Sequence, residues 1–163
     1  MRHLSKLILV AALFVVPATA QAGFIIEGSL GSGVQVKPTP IGRIPTNIMI
    51  APGYGLGTLL RFELGLMGSL GDVENSKFDL QLRPMIVLSP PLIPLYARLT
   101  YAVMNLTDSD RRQQAFGGAL GVDFELMDTV GIFAEVGVLP VKPKDVTDFV
   151  WLVEGRAGAY FAF

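Results

Sequence analysis

The last stretch of the chain, Phe149 to Phe163, reads FVWLVEGRAGAYFAF, and its alternation leaves little choice of structure. Every second residue from Phe149 gives Phe, Trp, Val, Gly, Ala, Ala, Phe and Phe, whereas both charges, Glu154 and Arg156, fall in the other set. Side chains alternate across a strand, so this segment has one apolar face with aromatics at both ends and one face carrying all its charge. A strand in a soluble core seldom runs so long. A strand tilted across a bilayer needs about 9–11 residues, with aromatics where each end meets the interface.

The opposite end of the chain carries an export pattern. Arg2, His3 and Lys6 precede the apolar run Leu7–Val16, Pro17 closes it, and Ala20-Gln21-Ala22 offers small residues for cleavage. Residues 1–22 are therefore expected to be a signal peptide and 23–163 a single domain. Without Arg2 and Lys6, the 13 Lys+Arg fall to 11 against 14 Asp+Glu, a net charge of −3. No basic patch suggests nucleic acid. There is no Cys, so no disulfide framework accompanies the export pattern. Mean hydropathy is high at +0.51, yet no apolar run after residue 22 reaches the ~18 residues of a spanning helix. Alternating strands dilute hydrophobicity in this way.

Turn signals divide residues 23–163 into eight expected strands: Phe24–Val36, Asn47–Gly57, Leu60–Leu70, Phe78–Leu88, Leu95–Leu106, Ala115–Glu125, Val130–Val141 and Phe149–Phe163. Pro38, Pro40 and Pro45 predict an unpaired loop over Lys37–Thr46, and Pro52 predicts a bulge or a rim position within the second strand. The strands carry eleven charges: Glu27, Arg61, Glu63, Asp79, Arg83, Arg98, Asp123, Glu125, Glu135, Glu154 and Arg156. Each lies opposite the apolar set of its strand. A Lys or Arg facing lipid at the midplane would cost ~2–4 kcal/mol, so these charges are expected to point inward.

The aromatics form a second pattern. Phe78, Phe116, Phe149 and Trp151 begin even-numbered strands after long loops, while Phe24, Phe62, Phe124, Phe161 and Phe163 lie beside short turns or a chain end. All nine fall on apolar faces. Antiparallel up-and-down connection gathers them into two rings at opposite rims. The expected fold class is thus all-β: an eight-stranded antiparallel up-and-down transmembrane β-barrel, long loops outside and short turns in the periplasm.

Eight strands leave an interior that side chains can fill. Four inward Arg and seven inward carboxylates predict a polar plug of bidentate pairs, some of the excess acids being protonated or hydrated. The glycines on the second strand, with Gly65, Gly117, Gly121 and Gly158, would make room for the guanidinium groups. Catalysis has few actors, because the only His is His3 and Cys is absent. Asp123 and Glu125 have the spacing of one strand face, which needs no chemistry. The glycine clusters at 53–57 and 117–121 lack the Lys and helix of a phosphate loop. No enzyme, cofactor or metal site is expected.

The final eight residues resemble the C-terminal assembly signal of bacterial outer-membrane barrels, carried here by Arg156, Gly158, Phe161 and Phe163. With the leader and eight alternating strands, the chain resembles the small outer-membrane barrels of the OmpA/OmpX kind. That resemblance implies a monomer in outer-membrane lipid, assembled by the barrel-assembly machinery, with a non-enzymatic role in envelope structure or surface interaction. Two alternatives remain at this stage. One is transport of small apolar molecules, as OmpW-like relatives are thought to perform; the other is a soluble periplasmic lipid-binding barrel with the faces reversed.

Overall fold

A computed structural model describes residues 23–37, 42–70, 79–91, 93–142 and 148–163. The expected leader and Phe78 lie outside these residues. Among them are eight strands: β1 (Gly23–Lys37), β2 (Gly42–Leu56), β3 (Leu60–Leu70), β4 (Leu80–Leu88), β5 (Leu95–Met104), β6 (Gln113–Met127), β7 (Val130–Val141) and β8 (Val150–Ala162). Each pairs antiparallel with its sequence neighbour, and β8 returns to β1, closing the barrel. Closure removes the sheet edges that an open sheet would leave unpaired. No described helix is long and apolar enough to cross a membrane; a single 3₁₀ turn, Ser109–Arg111, interrupts the β5–β6 connection.

The register sets the shape of the wall. Paired residues lead from Phe24 through Tyr54, Phe62, Ile86, Leu99, Gly118, Val138 and Val153 back to β1 at Val34, ten residues along from the start. Ten residues of about 3.3 Å against eight spacings of about 4.8 Å tilt the strands about 40° from the axis. That tilt explains why strands of 9–15 residues enclose a lumen filled by side chains.

The turns differ at the two ends. β2 and β3 are joined by a tight turn in which Gly57 has φ 67°, a conformation glycine adopts without Cβ strain. The β6–β7 turn is shorter still, at Asp128–Thr129. The other end carries the β3–β4, β5–β6 and β7–β8 connections, each of eight or more residues. There Asn105, at φ 55°, ends β5, and its N–H donates to an Asp79 carboxylate oxygen at 2.9 Å.

Two expectations set by proline are revised for a physical reason. The loop expected over Lys37–Thr46 is partly strand: Gly33 pairs with Ile44, Val34 with Arg43 and Gln35 with Gly42. Pro45 is accommodated because the register shifts between Gly31 and Gly33, so Pro45 and Thr46 together oppose Ser32. The Ser32 hydroxyl donates to the Ile44 carbonyl across this irregularity at 3.2 Å. At Pro52 no bulge forms. Its β3 ladder simply lapses between the Ile50–Leu66 and Gly53–Glu63 pairs, with the register unchanged. Pro84 does the same to the β4–β5 ladder.

Candidate functional site

Alternation places the two faces of each strand in different surroundings. Leu30, Ile50, Leu64, Leu99, Leu120 and Val136 are exposed on the outside of the barrel, whereas Glu27, Arg61, Glu63, Arg83, Arg98, Glu135, Glu154 and Arg156 are buried inside it. Four Arg thus meet four Glu in the lumen. The remaining strand acids lie at the two mouths. Asp79, just before β4, accepts a hydrogen bond from Gln81 Nε2 at 2.8 Å as well as from Asn105. Asp123 is partly exposed, and Glu125 is exposed at the short-turn mouth rather than within the filled interior. The acids in excess over Arg therefore lie at the mouths and not in the buried interior.

The buried groups form one connected arrangement. Arg98 of β5 grips Glu27 of β1 with two parallel bonds, Nη1 to Oε1 at 2.9 Å and Nη2 to Oε2 at 2.6 Å. Its Nε lies 3.1 Å from Glu135 Oε2, which also accepts a bond from the Tyr96 hydroxyl at 2.7 Å. Arg83 of β4 grips Glu154 of β8 in the same bidentate manner, at 2.6 and 2.9 Å, and donates to Gln81 Oε1 from Nε and Nη2. Arg156 joins the two groups, with Nη1 3.2 Å from Glu135 and Nη2 3.4 Å from Glu154. Paired guanidinium and carboxylate planes give the strongest and most directional of charged hydrogen bonds. Arg61 is held more loosely, 3.5 Å from Glu63 and 3.9 Å from Asp123, with the Tyr160 ring 5.3 Å from its guanidinium.

Apolar side chains complete the filling. Met49, Ala51, Met67 and Met85 cluster beside the charges, and the Met85 and Met67 sulfurs accept from Arg98 and Arg156 at 3.5 Å. Toward the long-loop end Ala102, Met104, Ala115, Leu139 and Val141 pack with Leu152. Val87, Tyr96 and Phe133 pack with Tyr160 toward the short-turn end. Alternation already sets Met67 and Phe133 on the charged faces of their strands; the rest of this apolar share was not expected. Its signal was present, since Met49 and Met85 fall on the same strand faces as the small or charged residues. The glycines also serve different neighbours from those expected. A Cβ at Gly121 would strike the Tyr96 ring at 2.4 Å, and one at Gly158 would meet the Gly28 carbonyl at 2.3 Å and the Phe133 ring at 2.8 Å. Space is made for rings and close backbone approach rather than for guanidinium groups.

The expected rim residues occupy the outer surface. Phe24, Phe62, Phe116, Phe124, Phe149, Trp151, Phe161 and Phe163 are all exposed. At the terminus the Phe163 N–H donates to the Phe24 carbonyl at 2.8 Å, and their rings lie 6.4 Å apart. Phe163 thus continues the β8–β1 seam beyond the last strand residue. Among the described residues no group of His, Cys, Asp and Glu is arranged to hold a metal ion.

Comparison with solved structures agrees with this geometry. The crystal structure of Neisserial surface protein A superposes with a TM-score of 0.63 over 86% of this chain and 97% of that one, at 16% identity. The chain has the fold of a small outer-membrane barrel. The N-terminal β-barrel domain of Pseudomonas aeruginosa OprF matches with a TM-score of 0.55 at 16% identity, covering 88% of this chain and all of that domain. The de novo designed TMB2.3, solved by NMR, matches at 0.54 and 13% identity, over 88% of this chain and 96% of its own. No family model matches the chain, and no curated protein matches it. At these identities the outer-membrane barrel likeness is one of fold.

Proposed function

We propose that the protein is a non-enzymatic integral outer-membrane barrel, acting in envelope structure or at the cell surface, with a lumen closed by its own side chains. The observation that carries this reading is the division of faces: apolar side chains outward over the whole wall, four Arg and four Glu neutralised inside. In lipid the outward face needs no further cover. A soluble lipid-binding barrel would need the reverse. The long connections face the exterior in this reading, the short turns and Phe163 the periplasm, and residues 1–22 are the leader removed on export. Outer-membrane lipids and the barrel-assembly machinery are then its partners, and it works as a monomer. Two measurements test the membrane assignment: retention in membranes after carbonate extraction, and faster migration of unheated than heated protein in SDS gels. Release by carbonate with no heat-dependent shift would overturn it.

A second reading, lateral passage of small apolar molecules, draws on the ladder lapses at Pro52 and Pro84. It requires an opening between strands whose register is unbroken on both sides of each lapse. Uptake of an apolar solute by vesicles containing the protein, abolished by substitution around Pro52, would favour it over the plug.

A further inference from the structure

The two ends of the lumen differ in charge, and the difference defines a site. The buried interior is neutral, four Arg against four Glu. After residue 22, every Lys and Arg outside the lumen belongs, in sequence, to a connection at the opposite end or to the strand ends flanking it. At the short-turn end the described residues carry Asp123, Glu125 and Asp128, with Arg61 as their one cation. The deficit of positive charge is thus concentrated at one mouth.

That mouth is a cavity of about 470 Å³, within the range of roughly 300–1,000 Å³ typical of ligand pockets. Its lining is partly apolar and stiff, from Pro90, Pro91, Ile93 and Pro94 of the β4–β5 turn; the three carboxylates and Tyr160 also line it. Arg61 forms part of the lining although it is only 8% exposed. Its guanidinium is short of acceptors: the nearest carboxylate oxygens are 3.5 and 3.9 Å away, and its Nε has no hydrogen-bond partner among the described residues. An occupant that suits this mouth has cationic groups for the carboxylates, an apolar body for the prolines and an acceptor for Arg61. Water and small cations supply only part of that set.

We propose that the short-turn mouth binds a basic peptide segment, its Lys or Arg side chains against Glu125 and Asp128 and a carboxylate or carbonyl oxygen toward Arg61. The inference goes beyond the envelope role and does not depend on which compartment the mouth faces. The test uses the folded full-length barrel in detergent micelles, observed by backbone amide NMR and titrated with the tripeptide Lys-Leu-Lys. Saturable shifts are expected at Gly57–Arg61, Asp123–Asp128 and Tyr160–Ala162, with none around Asn105–Arg112. The Glu125→Gln/Asp128→Asn double variant keeps the Asp123 contact to Arg61 and should fold, as unheated gel mobility will show. It should bind about tenfold more weakly, because paired charges at a rim set both attraction and register. Amidating the peptide's C-terminus should weaken binding about threefold by removing the charged acceptor. Absence of saturable shifts, or unchanged affinity in the double variant, would overturn the site. Equal affinity for spermidine, with no effect of amidation, would reduce it to a counter-ion site and overturn the peptide assignment.

Discussion

Arg98 and Arg61 both reach toward Glu63, one from inside the barrel and one from its mouth, and they are held very differently. Arg98 is 1% exposed and closes two bonds of 2.6 and 2.9 Å on Glu27, with Glu135 and Glu63 at 3.1 and 3.6 Å. Arg61 has no contact to a carboxylate shorter than 3.5 Å among the described residues and borders an open cavity. The amino acids are the same, and their strands face the same lumen. What separates them is geometry: only where opposed strands set guanidinium and carboxylate planes face to face is desolvation offset by strong directional bonds. Near the mouth water can supply the difference, so looser pairing is tolerated.

This contrast can be broken by substitution. Arg98→Leu leaves Glu27 buried without its cation and Glu135 with Arg156 alone, and should cost ~3–5 kcal/mol of unfolding free energy. Arg61→Leu should cost less than half as much, since Asp123 is open to the mouth and Glu63 keeps Arg98 at 3.6 Å. Urea unfolding of both variants, folded in the same detergent, measures the ratio; equal losses would show that the two sites are equivalent. The neighbouring glycines Gly158 and Gly28 extend the comparison to packing. A Cβ at Gly158 meets a backbone carbonyl at 2.3 Å, while one at Gly28 meets nothing within 4 Å. Gly158→Ala should therefore cost about 1–3 kcal/mol, as overpacking does, and Gly28→Ala should fall within ~0.5 kcal/mol of the parent.

Smaller effects belong to the outer surface. Phe163 makes no lumen contact, yet its N–H and ring extend the closing seam onto Phe24. Phe163→Ala is expected to lower the folded fraction recovered from membranes several-fold, by no more than ~1.4 kcal/mol in equilibrium terms, read as the heat-modifiable band. Lys142 is exposed beyond β7, and Lys142→Ala should leave the unfolding midpoint unchanged, as surface changes usually do.

Much of this architecture was legible because a membrane wall forces a period of two. Val130–Val141 and Leu60–Leu70 match their expected strands at both ends, since each is bounded by a turn and carries charge or bulk on alternate residues. The Arg–Glu partners were less legible. Arg83 meets Glu154 71 positions away, and Arg98 meets Glu27 at the same separation; such pairs depend on stagger and tilt, which alternation leaves open. The proline loop before β2 misled for a local reason. Pro45 forbids a regular ladder bond, but a one-residue bulge against Ser32 removes the demand for that bond. Glu125 shows the limit of reading faces alone: it shares a face with Asp123, yet its strand continues past the rim to Met127 and carries it out of the lumen. The roles of the glycines depended on which rings lay opposite, information held by other strands.

Conductance bears most directly on the central claim that interlocked side chains close the lumen. Folded protein reconstituted into planar bilayers should give no protein-dependent current above the bare-membrane baseline, because Arg83 and Arg98 each grip a Glu from a strand across the lumen and Arg156 links the two groups. Reproducible single-channel steps that persist after detergent controls, and that scale with the amount of protein added, would contradict the plug.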